Sequence, residues 1–480
     1  MELSRTFPDA TTLAREHRGG QRDPRATVRA ILQRVHPLQE SLNAFAAIDD
    51  EGANARAAEL ADAIACGKDT GPLAGVPVCV KDILDVAGLP TRWGSRLMAQ
   101  APPAKSDIAA VARLRAAGAV VIGKSTTTEF AHSPLGFSPL TGLTRNPWAP
   151  GLTCGGSSAG AGVAVATGSS SLSLATDAGC STRLPAACTG VFGIKPTLGT
   201  APHDRVPEAF ANFIHLGLLA RTVTDLAVGL DVIAGACPVD PHSLTRARPN
   251  AVAALVRKTM DGARVLLWMR TGNLHVADEI IAATRKAAAV LASLGARVTE
   301  EAYPLENPDP VWRILQQSNW AARFAALKPE DRSKLSPTLN AGIEAGLAYR
   351  GLDLQRALIK RTELFRAVQT VFQNFDFMLT PCVSAPPVAA DHDLAAPLII
   401  DGKEAGDLRT EWTPYLSLFD LTGHPAIAMP ASLTANGAPL GVQLVAPWAH
   451  DGALLAAAAA YERASPTPQL PRAALEARWG

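Results

Sequence analysis

The sequence predicts an α/β fold arranged as a single large domain. Helical segments alternate with short Val-, Ile- and Leu-rich runs, the pattern that lays helices over a sheet. This alternation occurs both early and late in the chain, with no linker, repeat or low-complexity tract between. The 480 residues are 48% hydrophobic and 19% charged, enough apolar material for a large core.

Asp23 and Pro24 open a helix, Asp as its cap and Pro at its first position. Val28, Ile31 and Val35 follow at helical spacing. A second helix is expected over 52–65, ended by Gly67. LAGVPVCVKDILDV (73–86) reads as a buried strand that delivers Lys81 at its end. Ser106 is expected to cap the helix DIAAVARLRAAG, with AVVIG as the strand after it. GGSSAGAGVAVATG is a glycine-rich entry to a helix stopped at Gly168, and SSSLSLAT reads as the next strand. Further on, ARVLLWM predicts a strand, 275–294 a helix, 353–374 a long helix and FDFMLTP a strand. PAIAMPA and LGVQLVA predict two more strands, and ALLAAAAAYERA a closing helix. Trp312, Trp320 and Phe324 fall at roughly helical spacing. Core packing is their first explanation, an aromatic wall of a pocket the second.

Several function classes are excluded. The net charge of +1 gives no electrostatic case for nucleic acid or an anionic membrane. No run of 18 apolar residues occurs, so no membrane span is expected. MELSRTFPDATTLAREHRGG has no apolar signal core, so a cytoplasmic chain is expected. Seven cysteines without a CxxC pair fit reduced thiols rather than a zinc ribbon or a disulfide frame. The ten histidines are scattered, with no HExxH, so neither a metal nor another cofactor is expected.

The chemistry concentrates in 81–181. A helix of about ten residues runs about 15 Å, and a strand of about six residues about 20 Å. If the strand packs antiparallel to the helix, the chain leaves Ser157 and returns near it at Ser181. Lys81 also ends a strand, and ligands gather outside the carboxyl ends of strands in α/β sheets. These three residues can therefore converge on one site. A serine needs a base to become a nucleophile. A lysine serves when burial lowers its pKa, and Val76 to Val80, Ile83 and Leu84 supply that burial. A second serine can relay the proton. The turn Asp177-Ala178-Gly179-Cys180 offers backbone N–H groups to an oxyanion.

Three segments carry a resemblance: GPLAGVPVCVKDILDVAGLPT (71–91), TRNPWAPGLTCGGSSAGAGVAVATG (144–168) and ATDAGCSTRLPAACTGVFGIKPTLG (175–199). GHPAIAMPASL and GAPLGVQLVAP add to it. The chain resembles the amidase signature family, over most of its length and least in 200–350. The resemblance implies a central mixed β-sheet flanked by helices on both faces. It divides residues 1–480 into an N-terminal helical part (1–70), a signature core (71–200), a variable cap and substrate pocket (200–350) and a C-terminal part completing the sheet (351–480). It implies amide hydrolysis by a Ser–cis-Ser–Lys triad: Ser181 the nucleophile, Ser157 the bridging serine on a cis peptide bond, Lys81 the base. Backbone amides of Ala178, Gly179, Cys180 and Ser181 would form the oxyanion hole, with Asp177 and Arg183 supporting the loop. His132, Cys154 and Gly155 are candidate substrate contacts, with a purely structural role the alternative for His132. A small-molecule amide or carbamate is the expected partner, for a monomer or homodimer without cofactor. The family's usual GTDTGGSIR stands here as ATDAGCSTR, and Cys180 puts a side chain where glycine leaves the oxyanion hole open.

Three rival readings remain. Gly156-Ser157-Ser158-Ala159-Gly160 satisfies GxSxG, which would make Ser158 an esterase nucleophile with His424 or His450, but no strand precedes it. The glycine loop as a phosphate cradle lacks a GK[ST] sequence. The third keeps the fold and makes the chain the amidase-type subunit of a tRNA-dependent amidotransferase.

Overall fold

The computed structural model describes residues 8–273, 275–466, 468 and 470. The first seven residues of the stretch read above for a signal core lie outside the described residues. An 11-stranded sheet organises the chain. Its members are β1 (Phe45–Ile48), β2 (Pro77–Lys81), β3 (Val120–Ser125), β4 (Leu172–Asp177), β5 (Phe192–Lys195) and β6 (His215–Ala220). The rest are β7 (Arg264–Leu267), β8 (Arg297–Glu300), β9 (Phe377–Pro381), β10 (Ala426–Leu433) and β11 (Pro439–Val445). The spatial order is β1-β3-β2-β4-β6-β5-β10-β11-β9-β7-β8. Pairing is parallel among β3, β2 and β4 and among β9, β7 and β8, and antiparallel elsewhere, so the sheet is mixed. β2, β3 and β4 are buried along their whole length, which is why they read as continuous apolar runs rather than alternating ones.

Most expected elements form close to their expected limits. The Asp23 carboxylate accepts the Arg25 N–H and caps Pro24–Leu42. The helix expected over 52–65 runs Asp50–Ala65, after an earlier helix at Ala10–Arg18, and the long one runs Gly351–Asn374. The strand expected over 73–86 contracts to five residues because the chain turns immediately after Lys81. Ser106 is not a cap: the helix starts at Ala109 after Ile108, and the Ser106 hydroxyl accepts from Arg205.

Residues 200–350 are not all cap. β6 sits between β4 and β5 in the sheet, and β7 and β8 form its far edge. Helices α1 (Ala159–Ala166) and α2 (Arg183–Thr189) flank β4 in sequence. Helices α3 (Asp309–Phe324) and α4 (Pro337–Ala348) pack together in a separate apolar cluster that includes Trp312, Trp320 and Phe324. A two-stranded hairpin (397–407) leads into the short helix α5 (Leu408–Trp412).

Candidate active site

Parallel pairing brings the carboxyl ends of β2 and β4 side by side, with Val80 opposite Leu174. Lys81 leaves β2 there, and Thr176 and Asp177 end β4. The turn before α1 delivers Ser157 to the same place, on a cis Gly156–Ser157 peptide bond. Lys81 Nζ lies 2.7 Å from Ser157 Oγ and 2.9 Å from Thr176 Oγ1. Lys81 and Ser157 are both 0% exposed. Burial pulls the Lys81 amine down to about 7, against the opposing pull of Asp177 and then Cys180. Near neutral pH a large fraction of this amine is therefore neutral and has a lone pair to accept a proton.

Ser181 follows the turn after β4 and is 8% exposed, the most accessible of the three. Of the three, Ser181 alone keeps some exposure. The two serine loops touch: the Cys180 thiol donates to the Gly156 carbonyl at 3.7 Å. Cys180 therefore turns its side chain toward the Gly156 carbonyl. Burial raises its thiol to about 11 and that of Cys154 to about 12, so both stay protonated at neutral pH.

The Asp177 carboxylate organises the loop that carries Ser181. It accepts the Ser181 N–H at 2.7 Å, the Thr182 N–H at 3.1 Å and the Arg183 N–H at 3.3 Å, the free donors at the start of α2. The Ser181 N–H is thereby committed to Asp177. Among the described residues, the N–H groups of Ala178, Gly179 and Cys180 meet no protein acceptor. Burial by itself would raise the Asp177 carboxyl, but the Arg183 charge and hydrogen bonds outweigh it and hold the group below its usual range.

Arg183 is fully buried and bonds Asp177, Asp420, the Gln443 side chain and the Leu416 carbonyl. Thr176, Asp420 and Gln443 went unnoticed in the sequence. Thr176 had a weak signal, a hydroxyl at the end of an apolar strand. Asp420 and Gln443 lie more than 230 residues from Arg183 and had none.

The candidate substrate contacts each engage other parts of the chain. His132 engages the Glu129 carbonyl through Nδ1 (2.7 Å) and Thr338 Oγ1 through Nε2 (2.8 Å). Both ring nitrogens are used, so His132 ties its loop to α4, in keeping with its structural alternative. Cys154 is 0% exposed, with its thiol directed at the Thr144 carbonyl. Gly155 has φ +74°, and a Cβ there would meet the Pro185 nitrogen at 3.0 Å, so it serves close packing onto α2. Ser158 is 0% exposed and donates to the Thr176 carbonyl, while His424 Nδ1 pairs with Thr422. The esterase reading therefore lacks an accessible nucleophile. Among the described residues no group of His, Cys, Asp and Glu is placed to hold a metal ion, and no helix is long and apolar enough to cross a membrane.

Known proteins match this arrangement. The Amidase family model matches residues 26–455. An acylamidase from Rhodococcus erythropolis is 32% identical over 459 residues, 95% of each chain. A glutamyl-tRNA(Gln) amidotransferase subunit from Synechococcus is 31% identical over 462 residues, 90% of this chain and 92% of the relative. The solved structure of a bacterial aryl acylamidase of the amidase signature enzymes superposes with a TM-score of 0.89 at 28% identity, over 96% of each chain. A match of this extent, to sequence and fold alike, places the chain in the amidase signature family of amide hydrolases.

Proposed function

We propose that the chain cleaves a carboxylic amide through an acyl-enzyme on Ser181, with Ser157 as proton relay and Lys81 as base. The observation that carries this reading is the 2.7 Å contact between a buried lysine and a buried serine, below a more accessible serine on the adjoining loop. Neutral Lys81 takes the Ser157 proton as Ser157 takes that of Ser181. Ser181 Oγ attacks the carbonyl carbon, and the carbonyl π electrons move to oxygen. The N–H groups of Ala178, Gly179 and Cys180 receive that oxyanion. Collapse breaks the C–N bond, and the departing nitrogen takes the proton held by Lys81 through Ser157. Water then attacks the acyl ester by the same relay, and Ser181 regains its proton.

The same steps cleave a carbamate or a small ester, so we include urethanes among the substrates. The acylamidase relatives support the amide reading. The helices over 309–348 would act as the cap that shapes the pocket, since Trp312 reaches the nucleophile loop from α3.

Labelling with a serine-directed phosphonate, followed by peptide mass spectrometry, tests the assignment. The expected adduct is on Ser181, with Ser181→Ala inactive and Ser158→Ala fully active. An adduct elsewhere overturns the assignment. Robust amide hydrolysis by the chain purified alone is expected; activity only with added partner proteins would favour the amidotransferase reading that the Synechococcus relative represents.

A further inference from the structure

Trp312, whose periodicity suggests core packing, also does something that packing does not require. Its indole Nε1–H donates to the Ala178 carbonyl at 2.6 Å. In a trans peptide the C=O and the following N–H point in opposite directions. Fixing the Ala178 carbonyl on Trp312 therefore turns the Gly179 N–H to the other side of the loop. That N–H is one of the three left without a protein acceptor.

Gly179 makes such a restraint necessary. A Cβ at this position would meet Trp312 Nε1 at 2.9 Å and would collide with Arg409 Nη2, so only glycine lets the indole approach. Glycine is also the residue whose flanking peptides rotate most freely. Without an external hold, the 178–179 peptide can flip and present a carbonyl where the oxyanion needs a donor.

The indole is itself held. The Arg409 guanidinium carbon lies 3.3 Å from the Trp312 ring centroid, and Trp320 meets the ring edge-on at 6.2 Å. Asp309, at the start of α3, accepts from Arg313 and Thr410, and Arg313 also reaches Asp407. These bonds join α3 to α5, which carries Arg409.

We propose that Trp312 is a positioning residue for the oxyanion hole: its indole N–H, clamped by Arg409, sets the 178–179 peptide so that the Gly179 N–H faces the reacting carbonyl oxygen. This rests on the acyl-enzyme reading above.

The test is Trp312→Phe, which keeps a ring and removes the donor. Removing an oxyanion donor outright costs about 10²–10³ in kcat. A donor that is present but unrestrained should cost about 10- to 100-fold, with KM changed by less than about threefold. Affinity for a trifluoromethyl ketone, which forms an anionic hemiketal on the serine, should fall in parallel. Affinity for an unreactive ketone isostere should not. Arg409→Met, which leaves the donor in place, should give a smaller loss with the same split, and it supplies the answer if Trp312→Phe does not fold. Unchanged kcat in folded Trp312→Phe overturns the proposal. So does a loss that appears equally in the unreactive ketone's affinity, which is what a packing defect produces. The underlying reading fails separately, when Ser181→Ala retains activity.

Discussion

Thr176→Val is the sharpest probe of the lysine base. The wild-type kcat/KM should rise with pH through about 7, because the protonated amine cannot accept the relay proton and burial is what lowers its pKa. Two units below that midpoint only about 1% of the amine is neutral. The Thr176 hydroxyl, 2.9 Å from Nζ and 3% exposed, accepts a hydrogen bond from the amine in either state. Such a bond contributes about 1.5–3 kcal/mol when the donor is charged and about 0.5–1.5 kcal/mol when it is neutral. Valine deletes that acceptor with nearly the same shape, so the charged form loses about 1–1.5 kcal/mol more than the neutral form. At 1.36 kcal/mol per unit this lowers the pKa by about one unit. The midpoint of the kcat/KM profile, which reports the free enzyme, should move to about 6. The plateau should fall as well, since the amine becomes a weaker base. Thr176→Ser, which keeps the hydroxyl, should restore the wild-type midpoint. A Thr176→Val protein that melts normally while its midpoint stays put or rises would refute the assignment of Lys81 as base.

Two further outcomes follow from groups around the triad. Arg183→Met removes the guanidinium that Asp177 and Asp420 both bond in a fully buried site, so urea unfolding should show a loss of about 3–5 kcal/mol; a loss under 1 kcal/mol would show that the pair network is not holding the loop. At neutral pH iodoacetamide should alkylate exposed Cys66, leave buried Cys180 and Cys154 unmodified and spare activity. Inactivation with label on Cys180 would make the thiol, rather than Ser181, the nucleophile.

The arrangement makes physical sense of the family pattern. A lysine inside a sheet is costly as a cation, and here that cost favours the neutral amine. Its surroundings are the reverse of those at Arg183, where the Asp177 carboxylate and Asp420 hold a buried guanidinium. Lys81 and Arg183 lie on either side of the β4 terminus, whose last two residues point to opposite faces: Thr176 to the lysine, Asp177 to the arginine.

Local sequence settled a good deal of this protein. Apolar runs and glycine stops placed β2, β3, β4 and α1 within a few residues, because a fully buried strand has to be apolar and helix ends are short-range events. The order of Lys81, Ser157 and Ser181 on those elements followed from the same runs. What only tertiary structure decided was which polar groups meet. Thr176 beneath Lys81, Asp420 and Gln443 around Arg183, and the Trp312 indole on the Ala178 carbonyl join residues 95, 237, 260 and 134 positions apart. Periodicity reports which face of an element is buried, and it identified Trp312 as a core residue correctly as far as it went. It carries no information about where a buried N–H points, because that direction is fixed by a partner that the local sequence does not contain.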